Sequence, residues 1–195
     1  MRKLLLLLGL ELFVALPLQA QGTFPRAEIF GGYSYLHSGQ LFNSNIPKGW
    51  NASFTGNVHP NIGIEADFSG HYGGISGSSH DTHLFMAGPK IAARLPKVTP
   101  WGHALFGASH VNVEGRDDLS GYRNSRTVFA WAVGAGLDAR LHRNLSVRVI
   151  QADYVRVSTR YFFAPSGGRR FIEYSLETSN NLRLSFGVVF TFGGG

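Results

Sequence analysis

From Arg26 onward the chain alternates apolar and polar side chains with a period of two, segment after segment, while a helical period is hard to find. In 61–71 (NIGIEADFSGH), Ile62, Ile64, Ala66 and Phe68 share one face, and Gly63, Glu65, Asp67, Ser69 and His71 share the other. Segment 50–58 sets Trp50, Ala52, Phe54, Gly56 and Val58 against Asn51, Ser53, Thr55 and Asn57. Segment 128–140 carries Phe129, Trp131, Val133, Ala135, Leu137 and Ala139 opposite small residues and then Asp138 and Arg140. Segment 182–192 places Leu182, Leu184, Phe186, Val188, Phe190 and Phe192 opposite Arg183, Ser185, Gly187, Val189 and Thr191. Successive strand residues point to opposite faces of a sheet, so each segment is a strand with one apolar and one polar face.

Four further segments alternate less cleanly. In 27–37, Ile29, Tyr33 and Tyr35 oppose Glu28 and Ser34, but Phe30 and Leu36 fall on the polar side. In 83–94, Phe85, Ala87, Ile91 and Ala93 oppose Lys90 and Arg94; Pro89 cannot donate a ladder hydrogen bond, which predicts a bulge or local break. In 101–113, His103 and His110 fall on opposite faces. In 145–156, Arg148 has the opposite parity from Gln151 and Asp153, and a bulge near Val149–Ile150 returns all three to one face.

Eight strands of roughly 9–13 residues match the length of a tilted membrane strand. The gaps at His59–Asn61, Leu95–Pro100 and Leu141–Asn144 are short. They alternate with long gaps at Ser38–Gly49, Tyr72–Thr82, Glu114–Thr127 and Val157–Asn181. An up-and-down barrel gathers the short turns at one end and the long loops at the other, as bacterial outer-membrane barrels do. A soluble ligand-binding barrel alternates as well, with its apolar face inward. The mean hydropathy of −0.02 excludes a polytopic helical membrane protein. With 44% hydrophobic and 15% charged residues the chain is not disordered, and with no cysteine it has neither disulfides nor Cys-zinc sites.

Residues 1–20 (MRKLLLLLGLELFVALPLQA) read as a signal peptide, with Arg2 and Lys3 before an apolar stretch and Ala20 as the cleavage residue. Residues 21–195 then form the barrel domain. Its polar face carries Glu28, Glu65, Asp67, Lys90, Arg94, Asp138, Arg140, Arg148, Asp153 and Arg183. Five acids and five bases inside a narrow eight-stranded barrel form an ion-pair network that plugs the lumen. On the apolar face, Trp50, Tyr35, Tyr154 and Trp131 lie toward the loop end, and Trp101, Phe190 and Phe192 toward the turn end, as two interfacial girdles.

The ending Ser185-x-Gly187-x-x-Phe190-x-Phe192 is similar to the outer-membrane assembly signal. The words AEIFGGYSYLH, MAGPK, LFGASH, ADYVR and RLSFGVVFTFG, in that order, resemble the OmpA-like family of small eight-stranded outer-membrane barrels over roughly 27–193. The resemblance implies an all-β, eight-stranded antiparallel up-and-down transmembrane β-barrel, exported to the bacterial outer membrane and inserted by the barrel-assembly machinery. It departs from the family in ending Gly193-Gly194-Gly195. No peptidoglycan-binding domain follows the barrel, so cell-wall tethering is not carried over.

Catalysis is disfavoured. Ser109-His110 and Ser79-His80-Asp81 hold the residue types of a hydrolase, but neighbours on a strand point apart, and the His-x-Ser-Asn pattern of lipid A deacylases is absent. His80 and His83 in the second long loop have metal-ligand chemistry without a supporting Cys or carboxylate arrangement, so no metal and no cofactor is expected. Arg156, Arg160, Arg169 and Arg170 in and beside the fourth loop suit the phosphates of lipopolysaccharide. Scattered basic residues without a recognition motif argue against nucleic acid. The expectation is a non-enzymatic monomer in contact with outer-membrane lipid, with a structural or surface-interaction role through four long loops. A narrow porin and a lipid A-modifying enzyme are the alternatives.

Overall fold

A computed structural model describes residues 24–38, 44–46, 48–75, 78–117, 120–163 and 173–194. The leader segment 1–20 lies outside them. Nine strands follow one another: β1 Ala27–Ser38, β2 Ser44–Ile46, β3 Lys48–His59, β4 Ile62–Ile75, β5 Ser78–Ala92, β6 Val98–Asp117, β7 Ser120–His142, β8 Leu145–Phe163 and β9 Glu173–Phe192. Both β2 and β3 pair with β1, β2 at Leu36–Ser38 and β3 at Ala27–Tyr33, so the two lie end to end as one stave. Every neighbouring pair is antiparallel, and β1 pairs with β9 over its whole length. The sheet therefore closes into an eight-stave up-and-down barrel, as the sequence predicts.

The closure is staggered. Starting from Arg26, whose carbonyl accepts from Asn57 N, cross-strand partners run through Gly63, Lys90, His103, Gly134, Asp153 and Arg183 and return to β1 at Leu36, ten positions higher. Stagger of this kind tilts the strands and sets the barrel width. At the β1–β9 seam Gly32 faces Gly187, and a Cβ on Gly187 would lie 2.5 Å from Gly32 Cα. The missing side chains let the two terminal strands meet.

Two expectations about the ladder are answered by register. Val149 and Ile150 both face outward, and the pairing shifts between Arg148 and Gln151, so the bulge sits where the parity change placed it. Pro89 produces no bulge: β5 keeps one register with β4 through Pro89, and the ladder to β6 merely lacks rungs between Ala87 and Lys90. Further shifts occur between Asn57 and His59 and between Arg140 and His142.

The long connections differ from expectation. β6 and β7 stay paired from Val98–Ala139 up to Asp117–Ser120, and β4 and β5 up to Ile75–Ser78. Most of what reads as loop in the sequence is hairpin strand, because Ser, Asn, Gly and Arg hide the apolar alternation once no membrane has to be matched. The β7–β8 pairing stops at Ala130–Val157 while both strands continue, so the wall divides above that level.

Candidate functional site

The interior is the candidate site, and the inward face of every stave contributes to it. Outward residues such as Ile64, Phe85, Ile91, Phe106, Phe129 and Phe186 are exposed, whereas Glu28, Glu65, Asp67, Lys90, Asp138, Arg148, Asp153 and Arg183 are buried. An apolar exterior around a charged interior inverts a soluble ligand-binding barrel and suits a chain surrounded by lipid.

At the centre Arg183 of β9 lies fully buried between Asp67 of β4 and Asp153 of β8. Its Nη1 is 2.7 Å from Asp67 Oδ1 and its Nη2 2.7 Å from Asp153 Oδ2. Arg183 Nη1 also donates to Ser69 Oγ at 2.9 Å, and Asn51 Nδ2 donates to Asp67 Oδ2 at 2.8 Å. Toward the turn end, His103 of β6 has Nε2 2.9 Å from Asp153 Oδ1 and Nδ1 3.1 Å from Glu65 Oε2. The imidazolium form, donating from both nitrogens, matches that geometry. One level lower, Lys90 Nζ lies 3.1 Å from Glu28 Oε2, and Arg94 Nη2 lies 2.6 Å from Glu28 Oε1. Arg148 pairs with Asp138 at 2.9 Å and donates to Gln151 Oε1 at 2.7 Å, and Gln151 Nε2 donates to Asp153. The Arg148 guanidinium stacks over Phe30 at 4.1 Å and Trp101 at 4.3 Å, and Lys90 stands 4.8 Å from the Trp101 ring.

Three placements depart from the sequence reading. Arg140 shares the inward parity of Asp138 but, two residues nearer the turn, is exposed at the turn-end mouth and stands outside the buried pairs. His103 takes up the position among the carboxylates that the sequence reading gave to a fifth base. Trp101 belongs to no girdle: only 4% exposed, it is turned inward between Lys90 and Arg148. Phe30, out of place in the alternation, is inward for the same stacking reason. The signal for Trp101 and His103 was parity shared with Leu105 and Ser109, which the mixed composition of β6 concealed.

Strand β7 makes room for this packing. Its inward residues are Ala130, Ala132, Gly134 and Gly136 before Asp138. A Cβ on Gly134 would collide with Asp153 Oδ1, and one on Gly136 would lie 2.7 Å from Trp101 Cε2. Toward the loop end the interior changes character. Leu84, Met86, Leu105, Ala130, Ala132, Val155 and Val157 form an apolar cluster on β5–β8. On the remaining staves Ser185 donates to Ser34, and Ser34 meets His71 Nε2 at 3.0 Å.

On the outer face near the loop end, Trp50 Nε1 donates to Tyr72 OH at 3.2 Å, and Tyr72 OH lies 3.2 Å from His83 Nε2. Tyr154 donates to Asn180 at 2.8 Å and packs against Trp131. His83 thus belongs to an outward hydrogen-bonded belt, and among the described residues no metal-ligand cluster forms. The His80 side chain lies outside what is described. Ser109 is buried inward while His110 faces outward and hydrogen-bonds Thr127 at 2.8 Å. Of the terminal-strand residues, Ser185 is buried and Phe190 and Phe192 are exposed outward. Arg156 is exposed on the outer face, cross-strand from Trp131 and Asn180. Arg160 lies on β8 with its side chain undescribed, and Arg169 and Arg170 fall outside the described residues.

The family model described as outer membrane protein beta-barrel domain matches residues 5–191. Among solved structures, the attachment invasion locus protein Ail of Yersinia pestis is similar at 18% identity with a TM-score of 0.59, over 87% of this chain and 99% of that one. Ail has also been solved in complex with the heparin analogue sucrose octasulfate. Neisserial surface protein A gives a TM-score of 0.58 at 13% identity, over 85% of this chain and 96% of that one. The N-terminal barrel of Pseudomonas aeruginosa OprF gives 0.52 at 12%, over 86% and 98%. At these identities the likeness is one of fold. A search of curated protein sequences finds no match.

Proposed function

The chain belongs to the outer membrane protein beta-barrel family, and from that premise we propose a barrel that is sealed to solutes and works at the cell surface instead of as a passage. The observation that carries this reading is the filled cross-section at Arg183, where Asp153 from the adjacent β8 and Asp67 from β4, which does not border β9, meet one guanidinium with no solvent exposure. Such a layer opens only by separating buried opposite charges, and breaking a buried pair costs about 3–5 kcal/mol. Planar-bilayer recordings of the refolded chain test it. The expected trace is a flat baseline; steady single-channel steps would establish the narrow-porin alternative and overturn the sealed reading.

The outward function rests on the strands that rise past the divided wall. Above Ala130–Val157 the β7–β8 ladder stops while β7 continues paired with β6 as far as Ser120, so a two-stranded arm rises past the barrel wall and offers a surface to another molecule. Arg156 at the rim, with Arg160, Arg169 and Arg170 in the fourth connection, suits polyanions such as lipopolysaccharide phosphates. On this reading lipopolysaccharide raises the unfolding temperature of the wild type in nanodiscs more than that of Arg156→Gln; equal shifts would remove Arg156 as a contact. The Ser185, Gly187, Phe190 and Phe192 pattern on β9 supports insertion by the barrel-assembly machinery, and loss of insertion in Phe192→Ala cells is the corresponding check.

A further inference from the structure

At the turn end the interior does not close flush. An open cleft of about 150 Å³ remains there, lined by inward residues of β1, β7 and β9 and by the β7–β8 turn. The carboxylates in its wall are committed elsewhere: Glu28 to Lys90 and Arg94, and Asp138 to Arg148. Arg140 and Arg143 also line the cleft, both exposed, and among the described residues no carboxylate pairs with either. Two guanidinium groups thus stand uncompensated at the mouth, beside the hydroxyls of Thr99, Ser146 and Thr191.

Their backbone is fixed. Arg140 N donates to Lys97 O at 2.9 Å, tying the end of β7 to the β5–β6 turn. The β7–β8 turn is clamped to β9 twice, by Asn144 Nδ2 to Thr191 O at 2.8 Å and by Thr191 N to Asn144 O at 3.0 Å. The register shift between Arg140 and His142 falls at this point, and bulges of this sort re-aim side chains next to sites.

We propose that this cleft binds a small doubly charged oxyanion, of the inorganic phosphate or phosphate monoester class, arriving along the barrel axis from the aqueous side. Guanidinium forks match tetrahedral oxyanions bidentately, and the hydroxyls add donors to the remaining oxygens. The axial route follows from the lining: Glu28, Asp138 and Val189 are buried inward residues, so the cleft faces solvent down the axis and not the lipid around the wall. The site is independent of whether the centre of the barrel conducts.

The full chain, refolded in phosphatidylcholine nanodiscs, is titrated with inorganic phosphate while the arginine Nε–H resonances are followed. The proposal expects saturable shifts of Arg140 and Arg143. Loss of charge-assisted bonds in Arg140→Gln/Arg143→Gln weakens binding by about tenfold or more. Heat-modifiable gel migration verifies that the variant folds, and the single substitutions provide the same readout should the double one fail. A non-saturating response, or undiminished binding in folded variants, overturns the site. Adding phosphatidylglycerol to the discs should leave the titration unchanged; if it abolishes the phosphate response, a lipid headgroup occupies the cleft and the axial route is wrong.

Discussion

Replacing Arg183 with leucine probes whether the barrel centre is a dry ion-paired solid. The substitution removes a fully buried guanidinium that touches Asp153 Oδ2 at 2.7 Å, Asp67 Oδ1 at 2.7 Å and Ser69 Oγ at 2.9 Å. Asp153 keeps His103 at 2.9 Å and Gln151 at 2.8 Å. Among the described residues Asp67 keeps only the neutral Asn51 amide at 2.8 Å. The uncompensated charge is therefore one carboxylate and not two, which places the loss at about 3–5 kcal/mol, the usual cost of breaking one buried pair. Neutralising that carboxylate as well, in Asp67→Asn/Arg183→Leu, should recover part of the loss, because contacting residues couple by about 0.5–3 kcal/mol. Equilibrium urea unfolding of protein refolded into vesicles, read by tryptophan fluorescence, gives both numbers. A loss in Arg183→Leu below about 1 kcal/mol, a value normal for exposed pairs, would mean that water screens these charges. The sealed interior would then be wrong.

Two further outcomes follow from where side chains point. Ile150→Arg should destabilise the barrel by about 2–4 kcal/mol if it lies near the bilayer midplane, since the bulge turns residue 150 to the lipid; an unbulged β8 would aim it into the polar interior, and a negligible change in urea unfolding would favour that geometry. Single-tryptophan variants should separate the three indoles: lipid-borne bromine quenches Trp50 and Trp131 on the outer face but spares Trp101, stacked inside against Arg148. Equal quenching of all three would return Trp101 to a girdle.

The alternation in 61–71 and 182–192 made two faces legible without any coordinates, because a strand has only two. It also located the bulge at Val149–Ile150, since a parity change within one strand has one economical cause. Legibility failed where composition stopped carrying parity. On β6 the inward residues Trp101, His103, Leu105 and Ser109 mix every chemical type, so nothing marked the indole and imidazole as interior. The hairpin arms beyond the wall read as loops because polar residues there follow no two-sided environment.

Thus the sequence by itself determined the strand number, the outward face and the charged inward one, all consequences of a period that is local in the chain. Which charges meet was decided only by closure. Asp67 and Arg183 lie 116 residues apart and become partners because the staggered β1–β9 seam brings β9 round to β1, level with the middle of β4. The same closure left Arg140 at the mouth and moved His103 in among the carboxylates. Pairing across a barrel depends on stagger and on the sum of small register shifts, quantities that no single strand contains.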